Sequence, residues 1–156
     1  MLNQQGLRTE LAVIGASPRS RHRPLPDCVT LHGNIAKSTA EGAERFDRLM
    51  QEAHFLVLPT TADATPTVCA EASSFGVPSI VTDVGGVSSL VANGRNGQRF
   101  PKDAPATDYC EYVARVFLDR DAYERLALSS FDEFESRLNW NSSAQRVEEL
   151  LLKVVA

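Results

Sequence analysis

Two acidic residues stand on either side of a short stretch rich in small and hydroxylated residues. Asp63 lies just before Pro66, and seven residues separate it from Glu71. Carboxylates cannot hold phosphate, but they accept paired hydrogen bonds from neighbouring hydroxyls, such as those of a sugar or a ribose. Backbone N–H groups at the start of a helix between the two acids would favour an anion such as a diphosphate. This combination suits a nucleotide sugar.

The segments around the two acids have the character of a strand, a loop and a helix. Phe55–Leu58 is an apolar run of strand-forming residues, and Pro59 after it cannot donate to a sheet. Pro66 suits the first turn of a helix, and Val68–Ala72 should be helical. Open α/β sheets bind ligands where a loop leaves the carboxyl end of a strand and enters a helix.

Several further motifs accompany Asp63 and Glu71 in a fixed order. They are Ala72-Ser73-Ser74-Phe75-Gly76-Val77-Pro78, Gly85-Gly86-Val87, Leu31-His32-Gly33, Asn93-Gly94-Arg95-Asn96-Gly97 and Arg137-Leu138-Asn139-Trp140. From about Glu10 to Leu151 the set resembles the carboxy-terminal half of a family 4 retaining glycosyltransferase, one of the group 1 glycosyltransferases. The usual first acid of that family is Glu, and Asp63 is one methylene shorter. A capping Asp and a surface acid would explain either residue alone, but poorly the whole set.

The resemblance implies a fold, a reaction and partners. The fold is α/β with a Rossmann-like parallel sheet, as the second domain of a two-domain GT-B glycosyltransferase that here lacks its first strand and helix. The activity is retaining transfer from a nucleotide-diphosphate sugar, without a metal or other cofactor. The acceptor would be held by a missing amino-terminal domain, so the isolated chain should bind a donor weakly and transfer little.

The resemblance also assigns roles to residues. Glu71 would hold the ribose hydroxyls and Asp63 would face the hydroxyls of the donor sugar, and these two acids are the predicted catalytic residues. The predicted donor-binding residues are Gly15, Gly33, Asn34, Thr65, Pro66, Thr67 and Val68, together with Glu71. Catalysis would consist of positioning the donor and stabilising its leaving group.

Composition limits the class of protein. The chain has 156 residues, 43% of them hydrophobic, and a net charge of −4, which argues against nucleic-acid or anionic-membrane binding. The start is polar and no apolar run approaches the roughly 20 residues of a membrane helix, so we expect a cytoplasmic protein without a transmembrane segment. The three cysteines show no metal-ligand spacing and are predicted to be reduced and mostly buried: Cys28, Cys69 and Cys110.

The chain in order predicts one domain, 1–156, with a frayed or disordered start at 1–9 and a terminal helix at 139–156. Predicted strands are Leu11–Ile14, Val29–Leu31, Phe55–Leu58, Ser79–Thr82 and Gln98–Phe100, and their alternation with helices indicates a parallel sheet. Leu11–Ile14, predicted to be buried on both faces, should either pair directly with Phe55–Leu58 or offer its edge to another chain. We favour direct pairing, in a single five-stranded sheet. The basic cluster Arg19, Arg21, His22 and Arg23 is interpreted as a solvated linker.

Three smaller expectations concern individual residues. Gly85 and Gly86 should allow the backbone to approach a ligand closely. Trp140 should be a packing anchor, and the final helix, capped by Asn141 or Ser142, should bury an apolar stripe: Val147, Leu150, Leu151 and Val154.

Other functions remain open from the sequence. A non-catalytic module that recognises a nucleotide or a partner protein would fit Asp63 in place of Glu. A signalling domain with a flavodoxin-like sheet is a third interpretation, although the acids lie in the wrong loops for a phosphorylation pocket. The sequence does not identify the sugar, the base or the acceptor.

Overall fold

The computed structural model describes residues 1–16 and 24–155, and the basic cluster at Arg19, Arg21, His22 and Arg23 lies outside the described residues. Contacts divide the chain into two compact units, Met1–Ala53 and His54–Ala156. Among the described residues, no helix combines the length and the apolar character that crossing a membrane requires.

Unit 1 contains two parallel strands and a helix. Its elements are a 3-10 turn at Asn3–Gln5, β1 (Leu11–Ile14), β2 (Val29–Gly33) and α1 (Ala40–Glu52). β1 and β2 run side by side with Leu11 opposite Val29. The hydroxyl oxygen of Thr39 accepts a hydrogen bond from the Gly42 N–H at 3.1 Å and so caps α1. Phe46 and Met50 are the buried residues of α1.

Unit 2 is built on a three-stranded parallel sheet. Its elements are β3 (Leu56–Leu58), α2 (Thr67–Ser74), β4 (Ser79–Thr82), α3 (Val87–Leu90), β5 (Gly97–Phe100), α4 (Ala106–Leu118), α5 (Arg120–Glu133), a π-helical turn (Phe134–Leu138) and α6 (Trp140–Val155). The strand order is β3-β4-β5. All four residues of β4 are buried, as a central strand flanked on both sides requires. Cys69, Val81, Val87 and Val91 form a buried apolar cluster.

The predicted single five-stranded sheet is wrong. Within the described residues, β1 pairs only with β2 and β3 only with β4. An unpaired edge of a strand inside a core would leave N–H and C=O groups without hydrogen-bond partners, which was the reason to expect direct pairing. Instead Leu11 is 46% exposed, Ile14 39% and Val57 41%, so neither β1 nor β3 is enclosed on both faces.

The prediction for the last helix is right in position and wrong in burial. Trp140 is 86% exposed, so it is not a packing anchor. The apolar residues expected to be buried are exposed as well: Val147, Leu150, Leu151 and Val154. The cap is Asn139, whose side-chain oxygen accepts from the Ser142 N–H at 2.9 Å, not Asn141 or Ser142. The helical periodicity predicts the helix correctly, but it does not determine which surface covers the apolar face.

Candidate functional site

Asp63 lies in the loop between β3 and α2, residues 59–66, at the carboxyl end of β3. Its Oδ1 accepts a hydrogen bond from the Thr65 N–H at 3.1 Å, which makes the local turn typical of Asp. A carboxylate has about four lone-pair sites, so this one bond leaves acceptor capacity. The side chain is half-buried. Asp63 is therefore held in place by the loop and is still able to bind hydroxyls.

The helix α2 begins immediately after this loop. Pro66 at its N-cap position is buried and has no N–H, and no side chain caps the helix within the described part of the chain. The orphan N–H groups of the first turn, at Thr67 and Val68, leave the positive end of the helix dipole available to an anion. Glu71 follows on the same helix and is half-buried. The structure thus brings the predicted residues of this segment together on one loop and one helix.

A second loop, residues 83–86 between β4 and α3, packs against the first. The Gly86 N–H donates to the Asp63 carbonyl at 3.2 Å. A Cβ at Gly85 would overlap the same carbonyl oxygen, and one at Gly86 would overlap that of Ala64. We expected the glycine pair to let backbone approach a ligand, but the backbone it admits is that of the neighbouring loop. The two glycines therefore fix the position of Asp63 by close contact.

The floor beneath this loop contains a buried thiol. Cys69 on α2 is fully buried, and burial raises the pKa of its thiol from 9.0 to about 11, with a smaller contribution in the same direction from the negative charge of Asp63. All three cysteines are free, as predicted, but only Cys69 is buried, whereas Cys28 and Cys110 are half-buried. A neutral thiol at this place is a packing group, not a nucleophile.

The remaining predicted donor-binding residues lie in unit 1. Gly15 follows β1, Gly33 ends β2, and the Gly15 N–H donates to the Gly33 carbonyl at 2.7 Å. Both glycines have positive φ, +85° and +65°, a conformation that other residues rarely adopt. Asn34 follows Gly33 directly and is exposed. The structure brings these three residues together, and they belong to a different compact unit from Asp63 and Glu71.

Sequence reasoning missed a buried polar cluster in unit 2. Glu133, at the end of α5, is 1% exposed and forms ion pairs with Arg95 and Arg137. Asn96, also fully buried, accepts from the Ala92 N–H at 2.8 Å and donates to the Leu90 carbonyl at 2.8 Å. Arg95, Asn96 and Arg137 are members of the motifs quoted above. Glu133 carries no sequence signal, since acids on a helix are normally solvated.

Two concave surfaces of the described residues lie away from the acids. One cavity of about 390 Å³ in unit 1 is lined by residues that include Arg8, Cys28 and Thr30. A groove of about 500 Å³ follows α6 and includes Trp140 and Val147. Neither is lined by Asp63 or Glu71. Within the described ranges, no three His, Cys, Asp or Glu side chains cluster as a metal site would require.

Residues 1–119 match the family described as glycosyl transferases group 1. TuaC of Bacillus subtilis, a glycosyltransferase assigned to teichuronic acid biosynthesis, is 37% identical over 83 residues, covering 53% of this chain and 21% of TuaC. Among solved structures, the sucrose-phosphate synthase of Thermosynechococcus elongatus superposes with a TM-score of 0.73 and 21% identity, over 94% of this chain and 38% of that one. HepE of Anabaena, solved in complex with UDP, superposes with a TM-score of 0.66 and 18% identity, over 97% of this chain and 35% of HepE.

These similarities cover most of this chain but a minor part of each relative. The chain spans about a fifth of TuaC and little more than a third of the two solved structures. At sequence identities of 21% and 18%, the similarity to these solved structures shows the fold alone. The predicted α/β fold of the GT-B type is confirmed.

Proposed function

Because this chain belongs to the group 1 glycosyl transferases, we propose that it binds a nucleotide-diphosphate sugar for retaining transfer to an acceptor held by a separate amino-terminal domain. The observation that carries the proposal is the segment from Asp63 to Glu71. It places two carboxylates on either side of an uncapped helix N-terminus, at the carboxyl end of a parallel strand. That is where open α/β sheets bind ligands.

The diphosphate is the group that this helix N-terminus suits. The N–H groups of Thr67 and Val68 donate to phosphate oxygens, with Thr65 and Pro66 shaping the approach from the loop. The negative charge of the leaving nucleoside diphosphate grows during transfer. N–H groups that are already in position therefore stabilise the transition state more than they stabilise the bound nucleotide sugar. The UDP complex of HepE, which shares this fold, supports a nucleoside diphosphate as the leaving group.

The two acids divide the hydroxyls between them. Glu71, on the helix, accepts from the ribose hydroxyls, and Asp63, in the loop, accepts from those of the sugar. The Asp63 carbonyl is held by Gly86 and its Oδ1 by the Thr65 N–H, so the carboxylate is positioned before the donor arrives. Binding needs no metal, and a chelator should leave donor affinity unchanged.

Calorimetric titration of the native chain and two isosteric variants tests this division. Glu71→Gln should weaken both the nucleoside diphosphate and the nucleotide sugar, because a hydrogen bond to a charged group contributes about 1.5–3 kcal/mol, or roughly 10- to 150-fold in affinity. Asp63→Asn should weaken only the nucleotide sugar, since the amide oxygen can still accept from Thr65. Glu111→Gln on α4, an exposed acid, is the matched control for the loss of one charge.

Equal loss of both ligands in the Asp63 and Glu71 variants would contradict the separate roles. Unchanged affinity in both would contradict the site itself. Asp63 is also the residue that favours a second candidate function, because its Oδ1 already serves the loop as a turn-forming group. A non-catalytic nucleotide-binding module would bind the diphosphate in the same place, depend on Glu71 and show no preference for the sugar.

A further inference from the structure

A buried ion-paired carboxylate lies in unit 2 outside the proposed donor site. Glu133 is 1% exposed, and Arg95 and Arg137 both pair with it. Burial of a carboxylate is costly unless charged partners compensate it. The two arginines differ in what else they touch. Arg95 is 66% exposed at its side chain, whereas Arg137 is 35% exposed and extends to another element.

Arg137 holds the end of α3. Its Nη1 donates to the Ser89 carbonyl at 2.8 Å, and its Nη2 donates to the Leu90 carbonyl at 3.2 Å. These are the last two carbonyls of a helix only four residues long, and such groups have no partner within the helix. A single turn of helix is not stable by itself. The Leu90 carbonyl also accepts from the Asn96 side chain at 2.8 Å, and Val87 is packed in the buried apolar cluster. The contact to the Ser89 carbonyl comes from the guanidinium that Glu133 orients, so Arg137 contributes to the position of α3 on the side that faces Gly86.

From α3 the hydrogen bonds continue to the candidate site. The Ser89 N–H and its hydroxyl both donate to the Gly86 carbonyl, at 3.1 and 2.6 Å. The Gly86 N–H in turn donates to the carbonyl of Asp63 at 3.2 Å. An unbroken chain of contacts thus leads from Glu133 through Arg137 and α3 to the main chain of Asp63.

We propose that Arg137, oriented by Glu133, is a positioning residue for Asp63. It fixes α3, and through Gly86 it fixes the loop that presents the Asp63 carboxylate to the sugar of the donor. Arg137 lies in the π-helical turn Phe134–Leu138, and such turns are frequent at functional sites. The part that concerns the sugar rests on the proposed function. The part that concerns the loop does not.

Amide hydrogen exchange of Gly86, followed by NMR on the full chain, tests the loop without any ligand. Arg137→Met should speed exchange at Gly86 at least about tenfold, because the hydrogen bond to Asp63 loses its support. Arg95→Met is the matched control: it also removes one guanidinium from Glu133, but it leaves the contacts of Arg137 to α3. Unchanged exchange in Arg137→Met, or equal acceleration in both variants, would overturn the inference.

Calorimetry with a nucleoside diphosphate and its nucleotide sugar tests the consequence for binding. Arg137→Met should lower the affinity for the nucleotide sugar, relative to that for the diphosphate, by up to about tenfold, which corresponds to one lost hydrogen bond. A general loss of stability would not change this ratio. An unchanged ratio beside faster Gly86 exchange would refute the positioning role and leave the proposed function standing. Absence of binding by the native chain would refute the proposed function, while Gly86 exchange still decides the hydrogen-bonded path.

A conservative variant keeps the test decisive if Arg137→Met does not fold. Arg137→Lys retains a positive charge beside Glu133, but an ammonium cannot donate to two carbonyls in the planar geometry of a guanidinium. If both variants fold, the Gly86 exchange rate and the affinity ratio of Arg137→Lys should lie between those of the native chain and those of Arg137→Met. If only Arg137→Lys folds, its Gly86 exchange should be faster than native and its relative affinity for the sugar lower. Native values for both in Arg137→Lys would overturn the inference.

Discussion

Replacing Gly86 by Ala places one methyl group where two loops meet. Gly86 has φ −87° and ψ 5°, a conformation that alanine tolerates, so backbone strain is not the issue. The added Cβ would overlap the carbonyl oxygen of Ala64, which is main chain and cannot rotate away. The loop that carries Asp63 must therefore move, and the hydrogen bond from Gly86 to Asp63 at 3.2 Å is lost or lengthened.

The expected cost follows from three contributions. Overpacking of a close contact costs about 1–3 kcal/mol, and loss of one hydrogen bond costs about 0.5–1.5 kcal/mol. Alanine returns about 0.4–1 kcal/mol by restricting the unfolded chain. The free energy of unfolding should therefore fall by roughly 0.5–4 kcal/mol. Each kcal/mol lowers Tm by about 2–4 °C at this chain length. Affinity for a nucleotide sugar should fall as well.

Thermal unfolding with calorimetric titration measures both effects, and Gly94→Ala is the matched control. Gly94 has φ +74°, with no described atom within 4 Å of the added Cβ, so its variant reports conformational strain alone. Gly94→Ala should lose stability but keep donor affinity. A Gly86→Ala variant as stable as the native chain, or more stable, would refute the close packing of the two loops.

Two further predictions concern the cysteines. Burial raises the pKa of Cys69 from 9.0 to about 11, so the unfolded state ionises first, and the free energy of unfolding should fall between pH 9 and 11 by up to roughly 3 kcal/mol. Cys69→Ala should lose the contribution of the thiol and keep a smaller slope of the same sign, because burial also raises the pKa values of Tyr112 and Tyr123 above 10.0. A slope equal to that of the native chain would contradict the assignment. Thiol reagents should modify Cys28 and Cys110 in the folded chain and Cys69 only on unfolding, which mass spectrometry can follow; rapid native modification of Cys69 would show that it is accessible.

Local patterns determined the elements and their chemistry. The strands Leu11–Ile14 and Ser79–Thr82 were predicted at the residues where they lie, because apolar runs bounded by turn residues are local signals. The placement of Asp63 before a helix and Glu71 within it also followed from spacing alone, since a helix start is encoded by a few adjacent residues. The resemblance to group 1 glycosyltransferases followed from the ordered set of motifs and is confirmed by the family match.

Tertiary structure decided which groups meet across long separations in sequence. Ser89 and Arg137 are 48 residues apart, and no sequence periodicity predicts that the Ser89 carbonyl accepts a hydrogen bond from the Arg137 guanidinium. The same is true of the pairing of β1 with β2, of the burial of Glu133 and of the exposure of Trp140. An amphipathic pattern shows that one face of a helix is apolar but not what covers that face. An acidic residue on a helix is expected to be solvated, and only the fold brings the two arginine partners to Glu133.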